Sequence, residues 1–136
     1  MKLHYAGVEL YPVSLELHDN LGYNECFDGA YGVFYDKIVR SKWNEIHMLD
    51  INFSMIKQKI DFLDLETDEQ YDLLYYDAFA PEKQEELWTP GALKKAYNIL
   101  KPGGILTTYC AKGVVKRRLK EVGFKVESIP GPPRKR

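Results

Sequence analysis

The chain has 136 residues, the size of one domain and enough to bury roughly two thirds of its unfolded surface. With 45% hydrophobic and 29% charged residues, its composition is that of a folded globular protein and excludes a disordered one. Net charge is −1, no apolar run approaches the ~18 residues of a membrane span, and no basic-then-apolar leader opens the chain, so a cytoplasmic protein is expected.

In chain order, residues 3–9 (LHYAGVE) are apolar-biased, end in an acid and predict a strand. Pro12 suits the first turn of a helix, which Val13, Leu15, Leu17 and Leu21 continue and Gly22 closes. Phe27, Tyr31, Phe34, Tyr35 and Ile38 recur at gaps of three and four and predict a helix within residues 27–43, weakened by Gly29 and Gly32. Residues 46–49 and 53–62 predict strands, the second with a mixed pattern and an uncertain register. Residues 71–76 (YDLLYY) are nearly all apolar and end at Asp77, as in a parallel strand covered on both faces. A polar, acidic loop fills residues 81–88. Leu93, Tyr97 and Leu100 predict a helix that Pro102-Gly103-Gly104 stops. Residues 105–109 (ILTTY) predict a strand. Residues 114–122 predict a helix with a basic face, ended by Gly123, and residues 124–129 alternate as a last strand. Pro130-Gly131-Pro132-Pro133 prevents regular structure beyond it. Strands and helices alternate, which predicts an α/β fold with a largely parallel sheet in a single domain, 1–136, without repeat or linker.

Charge is unevenly placed. Residues 112–136 hold nine Lys/Arg against Glu121 and Glu127, a local +7; residues 1–111 hold ten basic and eighteen acidic side chains, a local −8. A basic end on an acidic body suits a polyanion, and it equally suits a solvated helix face with a charged tail. Cys26 and Cys110 are too few for a disulfide scaffold or a zinc ribbon. His4, His18 and His47 lack metal-ligand spacing and are expected at structural or surface positions, so no metal is expected. Trp43 and Trp88 are expected to pack rather than to stack on a ligand. No G-x-G-x-x-G, P-loop or G-x-S-x-G pattern occurs.

Ligands of open α/β sheets bind outside the carboxyl ends of the strands. Glu9, Asp61 and Asp77 end or closely follow predicted strands. Glu9 suits hydrogen bonds from ribose hydroxyls, with a solvated strand-end acid as the equal alternative; Asp61 alone also suits a turn. Asp77 is the strongest candidate. It joins an apolar strand to Ala78-Phe79-Ala80-Pro81 and is expected to be desolvated beside a pocket.

These residues sit within a longer set: Asp77-Ala78-Phe79-Ala80-Pro81, Lys83, Leu87-Trp88, Pro102-Gly103-Gly104, Thr108-Tyr109, Ala111-Lys112-Gly113, Val115-Lys116-Arg117, Gly123-Phe124, Pro130-Gly131-Pro132-Pro133 and Lys135-Arg136. From residue 71 to 136 the set resembles the methyltransferase domain of the MnmC family. Gly7-Val8-Glu9 with Tyr11-Pro12 resembles that family's second sheet strand. The resemblance implies a class I methyltransferase-like (Rossmann-like) sheet with helices on both faces. It implies S-adenosylmethionine as cofactor and methyl transfer to the 5-aminomethyl group of a tRNA wobble uridine, in a family some of whose members carry an oxidase domain. It also implies roles. Glu9 would hold the cofactor's ribose, Asp61 would lie beside its adenine with Phe62 against the ring, and Asp77 would sit at the reacting centre near the methionine end and the substrate amine. Lys83, Trp88, Lys112 and Arg117 would contact tRNA or shape the pocket. The basic end would then meet the RNA backbone.

Relative to the family, the sequence lacks the glycine-rich loop after the first strand and the last strand, so a sheet incomplete at the N-terminus is expected. Strand edges left open by that gap predict a homodimer through exposed or swapped strands. Two other readings stand beside the enzyme: a non-catalytic α/β remnant without cofactor binding, and a basic RNA-binding module.

Overall fold

The computed structural model describes residues 1–27 and 29–130, which belong to two compact units, Met1–Leu65 and Glu66–Arg136. Asp28 and residues 131–136, with the end of the Pro-Gly-Pro-Pro run and the terminal Arg134, Lys135 and Arg136, lie outside the described residues.

The first unit comprises β1 (Leu3–Val8), α1 (Leu15–Leu21), a 3-10 turn (Tyr23–Cys26), α2 (Ala30–Arg40), β2 (Ile46–Asp50) and β3 (Phe53–Gln58). Its sheet has the order β1-β3-β2. Strands β1 and β3 run parallel, with Leu3 opposite Phe53 and Val8 opposite Gln58. β2 is antiparallel to β3, against the largely parallel expectation. Only residues 51 and 52 join the two strands, and a parallel crossover needs about a dozen residues. The Asp50 carboxylate accepts the Asn52 N–H at 3.2 Å within that turn.

Both helices of this unit start later than the sequence predicts. Ser14 caps α1, its hydroxyl accepting the Leu17 N–H at 3.2 Å, so Pro12 precedes the helix instead of sitting in its first turn. Gly22 closes α1 with φ 63°, as expected for a left-handed cap. Gly29, at φ 51°, interrupts the chain before α2 can begin. The mixed pattern of β3 also finds its cause. Lys57 points to the end of α2, donating to the Ile38 and Val39 carbonyls at 2.9 and 2.8 Å and lying 5.0 Å over the Trp43 ring. Burial lowers the pKa of this ammonium. β3 ends at Gln58, not at Phe62, because residues 61–65 turn on themselves.

The second unit comprises β4 (Tyr71–Tyr75), a 3-10 turn (Glu85–Trp88), α3 (Pro90–Asn98), β5 (Leu100–Thr107) and α4 (Gly113–Val122). β4 and β5 form a separate two-stranded parallel sheet. The family's expected continuous sheet, with helices on both faces, is thus two small sheets among the described residues. Leu73 and Tyr75 are exposed, so β4 is not covered on both faces as its apolar run predicts.

Pro102-Gly103-Gly104 does not stop a helix. α3 ends at Asn98, and the three residues lie inside β5. Tyr71 pairs with Leu100 and Leu73 with Ile105, so the Pro-Gly-Gly run bulges out between two ladder positions. Gly103 takes φ 82°, and a Cβ on Gly104 would stand 2.9 Å from the Lys101 carbonyl oxygen and 3.1 Å from that of Tyr71.

The core of this unit forms where α3 and α4 meet. Ala92, Leu93 and Ala96 of α3, and Val115 and Leu119 of α4, are buried with Tyr76, Trp88, Leu100 and Cys110. Trp88 meets Tyr76 edge-on at 5.4 Å. Thr89 caps α3 by accepting the Ala92 N–H at 3.2 Å, with Pro90 at its first position. Residues 124–129 are not a strand. The Phe124 N–H caps α4 by donating to the Leu119 carbonyl at 3.0 Å, and its ring packs edge-on against Tyr97 at 5.0 Å. Alternating hydrophobicity makes a strand only where a ladder partner exists, and here the backbone donor is taken by the helix end.

Candidate functional site

Two strand-end clusters carry the residues singled out above, one in each unit. In the first, β1 and β3 run side by side and both point their carboxyl ends the same way. The Glu9 N–H extends the ladder to the Gln58 carbonyl at 3.0 Å, which brings Glu9 and the segment from Asp61 to one edge of the sheet. Glu9 is exposed, and its Oε1 accepts the Tyr11 N–H at 2.8 Å. A carboxylate has about four acceptor positions, so capacity for a diol remains. Asp61 is half-buried and makes a turn, its Oδ1 accepting the Leu63 N–H at 2.8 Å. Phe62 is half-buried beside it.

In the second unit, Asp77 follows β4, and the Tyr76 N–H donates to the Thr107 carbonyl at 2.8 Å to close the ladder just before it. Asp77 lines a shallow cleft of about 350 Å³ with Tyr75, Tyr76, Thr107, Thr108 and Tyr109, at the carboxyl ends of both strands. Its carboxylate is exposed, which corrects the expectation of a desolvated acid: a two-stranded sheet offers too little cover to exclude water there.

The loop after Asp77 is held at several points. The Tyr109 hydroxyl donates to the Ala78 carbonyl at 2.8 Å. The Phe79 N–H donates to Gln84 Oε1 at 3.0 Å, and the Trp88 indole N–H donates to the Phe79 carbonyl at 2.7 Å. The Ala80 carbonyl accepts the N–H groups of Lys83 and Gln84. Trp88 is therefore a fully buried packing residue that fixes this loop, and of its two expected roles only shaping the pocket suits its position. Lys83 is exposed. Lys112, at the start of α4, pairs with Glu82 and ties the loop to that helix. Arg117 is exposed and forms no ion pair among the described residues. Its neighbour Arg118 donates to the Trp88 carbonyl at 2.9 Å and supports the core instead.

The chemistry available in this cleft is that of an exposed carboxylate framed by hydroxyls and aromatic rings, with cations on the following helix. Thr107, Tyr75 and Tyr109 join it through the β4–β5 register, a long-range pairing that local patterning does not reveal; Thr108-Tyr109 stood out in the sequence only as part of the family motif. The histidines are engaged elsewhere: His4 with Ser54, His18 with Tyr35 and His47 with the Lys42 carbonyl. No group of three metal-ligating side chains is found among the described residues. No helix among them is long and apolar enough to cross a membrane.

Comparison with known proteins bears directly on this cleft. Residues 29–136 match the family model described as S-adenosyl-L-methionine-dependent methyltransferase, a span that contains Asp61, Asp77 and α4 and begins after Glu9. The chain is 45% identical over 65 residues to the tRNA 5-methylaminomethyl-2-thiouridine biosynthesis bifunctional protein MnmC of Ralstonia nicotianae, covering 48% of this chain and 10% of that protein. It is 43% identical over 60 residues to the protein of the same name from Cupriavidus necator, covering 44% and 9%. The chain thus spans about a tenth of the length of these relatives.

Proposed function

This chain belongs to the S-adenosyl-L-methionine-dependent methyltransferase family, and on that premise we propose that residues 1–136 are part of one domain that methylates the 5-aminomethyl group of a tRNA wobble uridine. The observation that carries the reading is Asp77, an exposed carboxylate in a cleft at the carboxyl ends of β4 and β5, inside the family match. The names of the two relatives support tRNA as the substrate.

S-adenosylmethionine, when bound, would supply an electrophilic methyl group for the amine nitrogen, with its thioether as the leaving group. The chain's own residues bind and orient. Glu9 accepts the ribose hydroxyls with the acceptor capacity its Tyr11 contact leaves free. Asp61 and Phe62 border the adenine. Asp77 holds the neutral amine in line and takes up the proton it releases, so alignment provides most of the acceleration. Lys83, Lys112 and Arg117 meet the RNA backbone, and Trp88 holds the loop that carries Asp77's neighbours. β1 is bonded to β3 alone and β4 to β5 alone among the described residues, which supports a homodimer through open strand edges as the assembled form.

The deciding experiment is a calorimetric titration of the chain with S-adenosylhomocysteine. Saturable binding that Glu9→Ala abolishes is expected. Asp77→Asn retains binding and lowers methyl transfer by about 10²–10⁴-fold. No detectable binding by the wild type rejects the catalytic reading and leaves the non-catalytic α/β protein. In that case, tRNA affinity falling steeply with salt marks an RNA-binding module.

A further inference from the structure

Tyr109 is both exposed and tethered. Its side chain is 59% exposed, yet both of its ends are fixed. The backbone beside it is set by the Cys110 N–H donating to Thr108 Oγ1 at 3.2 Å, with the Cys110 side chain buried. The hydroxyl is tethered 2.8 Å from the Ala78 carbonyl, on the residue directly after Asp77. That carbonyl belongs to the loop that Trp88 and Gln84 hold at Phe79. Folding has already ordered the ring without covering it, so a planar ligand that stacks there orders little more on binding.

We propose that Tyr109 is the plate on which the substrate's nucleobase stacks, presenting the group to be modified to Asp77. The inference rests on the methyltransferase reading above and adds to it a residue that sets the choice of a base as substrate. Tyr109 and Asp77 line the same cleft, so a base on the ring lies beside the carboxylate. Aromatic faces accept any nucleobase, and the phosphates that accompany it find exposed cations at Lys83 and Arg117 on this same unit. An aliphatic amine without a ring or phosphates would use neither feature.

The test uses the full chain and two RNA stem-loops of one sequence. One carries 5-aminomethyluridine at the first anticodon position, the other an abasic ribose there. Fluorescence anisotropy at fixed salt, without cofactor, gives the ratio of their affinities. The wild type is expected to prefer the base-bearing loop by about five- to a hundredfold. Tyr109→Phe keeps the ring and most of that preference. Tyr109→Leu, and Tyr109→Ile as a second ringless variant, bring the ratio close to one. A wild type without preference overturns the proposal. So does a ringless variant that leaves the ratio intact, or that weakens both RNAs by the same factor, as a merely structural role would. The ratio is read independently of S-adenosylhomocysteine binding. A base preference that depends on the ring, in a protein that fails to bind the cofactor product, supports the plate and rejects the methyltransferase reading.

Discussion

The two units differ most in what they bury. Of the eleven buried apolar side chains among the described residues, nine belong to the second unit; the first has only Met55 and Leu65. Neither α1 nor α2 buries a residue, and Leu15, Leu17 and Leu21 of α1 remain exposed. Apolar content does not separate the units, since the first has the larger share of exposed large apolar side chains. Closure does. In the second unit, α3, α4 and the 3-10 turn meet around Trp88, and each covers the others. In the first, contacts are made ring to ring, as between Phe27 and Tyr35 or Phe34 and Phe53, without enclosing a centre. An apolar helix face stabilises a fold only when another element removes it from water.

Each unit carries one tryptophan, Trp43 and Trp88, which makes the contrast measurable. The largest expected effect is that of Trp88→Ala. It removes the ring at the centre of the second unit and should cost about 3–5 kcal/mol in urea unfolding followed by circular dichroism. Ile51→Ala, in the turn of the first unit at 82% exposure, should change stability by less than about 0.5 kcal/mol. Equal losses would break the contrast.

Gly104→Ala ranks next. The added methyl meets two backbone carbonyls of the β4–β5 bulge, which cannot swing away as a side chain can. A loss of about 1–3 kcal/mol is expected in the same measurement, and a neutral result would mean that the bulge can relax.

The smallest effect is the response to alkali, where the units should differ in sign. Burial first, and the Glu69 carboxylate second, push the Tyr71 phenol up to about 12 from its ordinary value of 10.0. Burial also raises Tyr76. Both favour the neutral ring in the folded state. Their contribution is complete below pH 10; that of Tyr71 is lost as pH rises through about 12, and that of Tyr76 at still higher pH. Burial lowers Lys57 in the first unit, so its cost is relieved as pH approaches 10.5 from below. Urea midpoints followed by Trp88 fluorescence should therefore fall from pH 10 upward, less so in Tyr71→Phe. Trp43 fluorescence should show no loss attributable to Lys57.

How far the sequence reached differs between local and long-range features. Gly22 and Gly123 act within a few residues of their own position, and the helix ends they govern lie where local patterning puts them, whereas the Ser14 cap starts α1 later than Pro12 implies. Pro102-Gly103-Gly104 can stop a helix or bulge a strand, and only the pairing of Tyr71 with Leu100 selects the second. The mixed pattern of residues 53–62 has its cause in Lys57, whose carbonyl partners stand at the end of α2, far away in sequence. Asp77 stood out at a strand end, whereas its exposure follows from how little sheet surrounds it.

By itself, the sequence determined where most of the strands and helices lie, the uneven charge and a motif set specific enough to identify the methyltransferase family. Each depends on residue types or on neighbours a few positions apart. Only the tertiary structure decided that the strands divide into two sheets, that the core gathers around Trp88, and that Tyr109 is tethered beside Asp77. Those outcomes depend on which distant backbone groups pair and which apolar faces find cover, and neither is encoded within a short window of the chain.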